Sequence, residues 1–332
     1  MGKRDPVEAR ADQSRDLYDI STWEPRTALD RLAAKLYGGA LLGGRVLVVL
    51  VAALLTLLIA GEAFLDPVIG LLTLLSAVPA LLLVGYVYYS DVTTNEPLGL
   101  LVATFLLSVV LASFAAVINS SFSFLSALGP LVFVFFYLVV GPVEETVKLL
   151  AVRLYAYRKP SFNAVIDGAV YGAVAGLGFA TIENAIYIEQ GLDPTGQALA
   201  VPLQGLLDGS EITATRALAG PGHVVYSAFA GYYLGLAKFN PENAGPIVVK
   251  GLLIAAFIHA TYNSLVGIAV GVASIAVPAA PQLALFFGFV VLYQGLFGGL
   301  LVRKINRYRR AYRTVHGDSE DSIPVEPTEF DA

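Results

Sequence analysis

Along this chain, apolar residues fall in long blocks broken by short polar stretches. This is neither the alternation of a half-buried strand nor the one-sided stripe of a soluble helix. A helix needs about 20 mostly apolar residues to cross a bilayer. Eight blocks reach that length, at residues 40–60, 67–89, 97–118, 129–154, 163–188, 214–238, 246–271 and 281–302. The pattern predicts an all-α, polytopic membrane protein of about eight transmembrane helices. Residues 1–38 read as an N-terminal tail and 39–302 as the membrane body. Residues 303–332 read as a tail that is first basic, then acidic and disordered. Within the first tail, "TALDRLAAKLYGG" sets Leu29, Leu32, Ala33 and Leu36 on one face, as a surface helix would.

Composition agrees: 56% of the 332 residues are hydrophobic, 14% are charged, and mean hydropathy is +0.70. The absence of cysteine excludes a disulfide scaffold, a thiol nucleophile and thiolate-bound zinc. The N-terminus is charged up to the first apolar block, so no cleavable signal peptide is expected. Lys and Arg mark one side of the body. They flank the first block at Arg31, Lys35 and Arg45, follow the fourth at Arg153, Arg158 and Lys159, and follow the eighth at "RKINRYRR". Lys238 and Lys250 flank the loop between the sixth and seventh. The opposite loops, 61–66, 119–128, 189–213 and 272–280, contain neither residue. The positive-inside rule then makes this a multi-pass cell-membrane protein with both termini cytoplasmic. The lipid bilayer is its surroundings, and no nucleic-acid partner is expected.

Charge inside a bilayer is costly and marks function by default. Glu144, Glu145, Glu183, His223 and His259 resist assignment to loops, with Lys148 beside them, and all fall on the fourth to seventh blocks. In "GPVEETVKLL", Gly141 and Pro142 can loosen the helix near the carboxylates. Glu144 and Glu145 point about 100° apart, so their roles differ. The i, i+4 spacing pairs Glu144 with Lys148 and leaves Glu145 facing elsewhere, although the two roles can be exchanged. Gly168, Gly172 and Gly176 form a small-residue face for a neighbouring helix, and Glu183 lies on the same stripe. Asn184 is placed to bond a neighbour. Asp167 reads as an N-terminal dipole partner, and Arg216 as a snorkelling interfacial residue. Asn263 sits one turn above His259.

Two chemistries suit this set. In one, His223, His259 and Glu183 hold a metal such as zinc, leaving a position for water, and a further glutamate is the base. In the other, glutamate and histidine activate water directly, while His259 and Asn263 donate to the oxyanion. No H-E-x-x-H or G-x-S-x-G is present, and the GLGF at 176–179 lacks the aspartate of the aspartyl type. A proton- or ion-coupled transporter also places Glu and His at the midplane, but no internal repeat accompanies them here. A non-catalytic membrane scaffold is the third class.

The ordered set "PVEETVKLL", "GLGFATIENAIY", "GHVVYSAFAGYYLG" and "IHATYNSL" resembles the PrsW family of intramembrane proteases over about residues 85–270. That family is distantly similar to the CAAX prenyl endopeptidase superfamily. The resemblance implies a membrane-embedded endopeptidase, usually labelled a metalloprotease, acting on a membrane protein or peptide. It implies a site of Glu144, Glu145, Glu183, His223 and His259, with Asn263 beside it. The "SDVTTNEP" loop only partly matches the acidic, proline-rich loop of that family.

Overall fold

The computed structural model describes residues 16–19, 21–93, 96–192 and 209–316. The acidic C-terminal segment, the first fifteen residues, most of the 189–213 loop, and Thr94 and Asn95 of the "SDVTTNEP" loop lie outside them. Eight long helices make up the described body, and the apolar blocks of the sequence account for each. They are α1 (Ala28–Leu65), α2 (Pro67–Tyr88), α3 (Leu98–Phe122), α4 (residues 131–154), α5 (Val165–Leu192), α6 (Ser210–Lys238), α7 (Ala244–Ala276) and α8 (Gln282–His316). Six are long and apolar enough to cross a membrane. The other two, α4 and α6, are those interrupted by Glu144, Glu145 and Lys148 and by Arg216 and His223. The protein is an all-α, multi-pass membrane protein.

The chain divides into two compact units at residues 51 and 52. In the first, Thr27 and Asp30 cap the start of α1 reciprocally. The Thr27 backbone N–H donates to Asp30 at 2.7 Å, and the Asp30 N–H donates to Thr27 Oγ1 at 3.1 Å. The segment expected as a separate surface helix is continuous with the first membrane helix. At the other end, α8 runs on through the basic cluster to His316. In both places good helix formers continue the ladder, and hydropathy cannot register the boundary.

In the second unit α5 is the hub. It packs against α6, α2 and α3, and its middle is buried on all sides. The glycine stripe makes this possible. A Cβ on Gly172 would lie 2.3 Å from the Ser227 carbonyl oxygen, and one on Gly176 would lie 2.4 Å from that of His223. Backbones that close leave no room for any side chain, as expected of a small-xxx-small face. The same stripe carries Glu183 toward α6. Asp167 caps the start of α5, accepting the backbone N–H groups of Asn163 (2.6 Å) and Ala164 (2.8 Å), as its position suggested.

Helix α4 is not uniform. Leu131–Val134 is α-helical, Phe135–Val140 is π-helical, and Gly141–Leu154 is α-helical again. The Gly141 N–H reaches back five residues to Phe136, and Pro142 has no N–H to give. Such π-bulges concentrate at functional sites. This one lies within a turn of Glu144.

Candidate active site

Glu144 and Glu145 project from the first turns of α4 after the bulge, and both are buried. Glu145 is fully enclosed, and donors meet both of its oxygens. Its Oε1 accepts from the Lys148 ammonium at 2.7 Å and lies 2.9 Å from His259 Nδ1, while Oε2 accepts from the Ser227 hydroxyl at 3.3 Å. Glu144 is different. Its Oε1 accepts from the Asn119 amide at 3.0 Å, while its Oε2 is buried with no hydrogen-bond partner among the described residues. That free oxygen is 3.7 Å from Lys148 Nζ and 3.7 Å from His259 Nε2. The lysine thus sits closer to Glu145, at i+3, than to Glu144, at i+4. The spacing argument had paired it with Glu144. What decides is His223, whose Nδ1 lies 2.9 Å from the same ammonium and draws it across the helix face.

These contacts fix the imidazole tautomers. An ammonium has only donors, so His223 Nδ1 accepts, and Nε2–H donates to Glu183 Oε2 at 2.9 Å. A carboxylate only accepts, so His259 donates from Nδ1 to Glu145 and turns the Nε2 lone pair toward Glu144. Aromatic contacts hold both rings. Phe179 stacks on His223 with centroids 5.5 Å apart, Tyr226 stacks on His259 at 5.2 Å, and the two imidazoles meet edge-on at 5.1 Å.

Arg216 belongs to the cluster and does not snorkel. It pairs with Glu183 and donates from Nε to Asn184 Oδ1 at 2.9 Å, and Asn184 in turn donates to Ser76 on α2 at 2.9 Å. A cavity of about 330 Å³ opens over the group. Asn119, Glu144, Glu183, Arg216, His223, His259 and Asn263 all line it, and Glu145 does not. A second cavity of about 220 Å³, between α1, α3 and α5, shares Asn119, Glu144, Glu183 and Tyr187 with the first. Glu144 therefore faces open space on two sides.

The structure brings all six expected residues into one neighbourhood: five through direct contacts, and Asn263 as part of the cavity wall. It adds Arg216, Asn119 and Ser227 as partners, and Lys148, already expected beside the set, pairs with Glu145. Arg216 had a signal, since it lies seven residues before His223 on the same face. Asn119 and Ser227 had none, being ordinary polar residues of apolar helices.

Among the described residues, Glu144, His223 and His259 bring one ligand atom each within 4.8 Å of one another. The carboxylate in that grouping is Glu144, whereas Glu183 is engaged by His223 and Arg216. The orphaned Glu144 Oε2 and the free His259 Nε2 are suitable donors for a divalent ion. His223 would have to exchange its contact with Lys148 or Glu183 to join them.

Residues 96–294 match the family model described as PrsW family intramembrane metalloprotease. Protease PrsW of Halalkalibacterium halodurans is 28% identical over 191 residues, covering 56% of this chain and 79% of that protein. Protease PrsW of Bacillus subtilis is 29% identical over 187 residues, covering 56% and 78%. That of Shouchella clausii is 27% identical over 192 residues, covering 58% and 81%. No solved structure matches the chain.

Proposed function

Because the chain belongs to the PrsW family of intramembrane metalloproteases, we propose that its buried glutamate–histidine cluster is the peptidase centre, with Glu144 as general base. The protein is an intramembrane endopeptidase, and its substrates are proteins. The observation that carries the assignment of roles is the inequality of the two glutamates. Glu145 has donors at both oxygens and touches neither cavity, whereas Glu144 keeps a free oxygen where two cavities meet.

Asn119 holds Glu144 by one oxygen and so aims the other at a water in the cavity. Glu144 takes the proton of that water as it attacks the scissile carbonyl, and returns it to the leaving amine. His259 Nε2, opposite, accepts a hydrogen bond from the same water, and Glu145 stabilises any positive charge the ring acquires. Arg216 and Asn263, on the cavity wall, are the donors for the developing oxyanion. His259 is thereby moved from oxyanion donor to water acceptor, because its one N–H is committed to Glu145.

In a metal-assisted alternative, zinc suits the donor set, and Glu144, His223 and His259 would hold it, with Glu144 then a ligand and not the base. A bound zinc would lower the pKa of its water toward neutrality and polarise the carbonyl.

The test is cleavage of a panel of single-pass membrane proteins by the detergent-purified protein, with His259→Ala alongside. Wild type is expected to cut at least one substrate within or next to its membrane segment, and His259→Ala to lose that activity. Equal cleavage by both would overturn the assignment. Exhaustive chelation followed by zinc add-back then separates the metal-assisted from the metal-free route.

A further inference from the structure

A second group of carboxylates lies far from this site. Asp91 follows α2, Glu96 precedes α3, and Asp167 stands in the first turn of α5. Asp167 is sixteen residues before Glu183 on the same helix, about 24 Å away at the helical rise. One oxygen from each of the three carboxylates lies within 4.8 Å of the others.

Capping and pairing account for half of this cluster and leave the other half unexplained. Asp91 Oδ1 accepts from the Thr93 N–H and hydroxyl, both at 2.9 Å, and Asp167 Oδ2 accepts the two backbone N–H groups that start α5. Glu96 Oε2 accepts from the Tyr171 hydroxyl. Among the described residues no donor reaches the remaining oxygens, Asp91 Oδ2, Glu96 Oε1 and Asp167 Oδ1, all of them buried, and the Glu96 and Asp167 carboxyls lie within hydrogen-bond reach of each other. Glu96 is 3% exposed and Asp167 is 0% exposed, so water does not compensate them. The Lys238 ammonium is spent elsewhere on the carbonyls of Tyr157 (2.8 Å) and Phe162 (2.7 Å).

Three orphaned carboxylate oxygens in one buried place need a positive centre. A single proton bridges two of them and leaves the third bare. A cation meets all three. The donors are oxygens alone, the preference of hard ions.

We propose that Asp91, Glu96 and Asp167 form an oxygen-only site for a hard divalent cation, calcium or magnesium, which fastens the α2–α3 connection to the start of α5. The site is independent of the peptidase centre, whose histidines suit softer metals.

The experiment uses the full chain in detergent, stripped with a chelator. Thermal unfolding is followed against added calcium or magnesium chloride, and terbium luminescence sensitised by tyrosine is recorded, since Tyr171 donates directly to Glu96. The unfolding midpoint is expected to rise by several degrees with calcium or magnesium, and calcium to displace the terbium signal. Glu96→Gln and Asp167→Asn are expected to weaken both responses about tenfold or more. Asp91→Asn, at a less buried position, is the variant to read if those two fold poorly. A midpoint indifferent to both cations, with no sensitised terbium, would mean that the carboxylates share a proton and would overturn the proposal. So would a response that persists unchanged in all three variants.

Discussion

Glu144 and Glu145 are adjacent in sequence and differ in everything that matters to chemistry. The helical turn between them sends one carboxylate into a shell of donors and the other to an open wall. Lys148 is the pivot of that shell, touching Glu145 and His223 and standing over the Phe179 ring at 4.3 Å. Lys148→Met leaves a buried carboxylate short of its cation and is expected to cost about 3–5 kcal/mol of stability. A thermal or denaturant midpoint in detergent checks this. Asn119→Ala removes one hydrogen bond to a charged group, worth about 1.5–3 kcal/mol. If that bond aims Glu144, cleavage measured below the lowered unfolding midpoint should fall about tenfold to a hundredfold. The five ionisable residues of the site could be read from sequence because charge in lipid has to be explained. Which oxygen meets which donor could not be read, because rotamers answer to neighbours on other helices. The i, i+4 rule favoured Glu144 for Lys148, and His223, seventy-five residues on, reversed it.

At the scale of the elements, the close pairing of α5 with α6 sets the site. Glu183 and His223 meet because Gly172 and Gly176 let the two backbones touch. Gly172→Val is expected to unfold or loosen the protein, because its Cβ would meet a carbonyl oxygen at 2.3 Å. Gly85→Ala, in α2 with nothing within 4 Å of its Cβ, should be neutral or slightly stabilising. Midpoints of the two variants side by side check the contrast. The sequence carried this glycine face plainly, as a spacing of four. It carried the bulge in α4 only as Gly141 and Pro142, since a π turn is a matter of which carbonyl the next N–H finds. Helix boundaries were least legible where the chain leaves the apolar core but keeps helix-forming residues, as at the start of α1 and the end of α8.

For the whole molecule, the Lys/Arg distribution predicts a body with both termini in the cytoplasm. The lack of cysteine makes this simple to test. Ser126→Cys, on the exposed α3–α4 connection, should react with an impermeant maleimide added to intact cells. Asn240→Cys, on the exposed α6–α7 connection, should react only after lysis. The reverse pattern would invert the topology. The transporter reading of the buried Glu and His residues is set aside by family membership. The most direct measurement for the account is cleavage by Glu144→Gln, with its unfolding midpoint recorded on the same preparation. A fall of about a hundredfold or more, with an unfolding midpoint that shows the variant still folded, is the predicted result. Near-wild-type cleavage by a folded Glu144→Gln protein would contradict the assignment of Glu144 as the base.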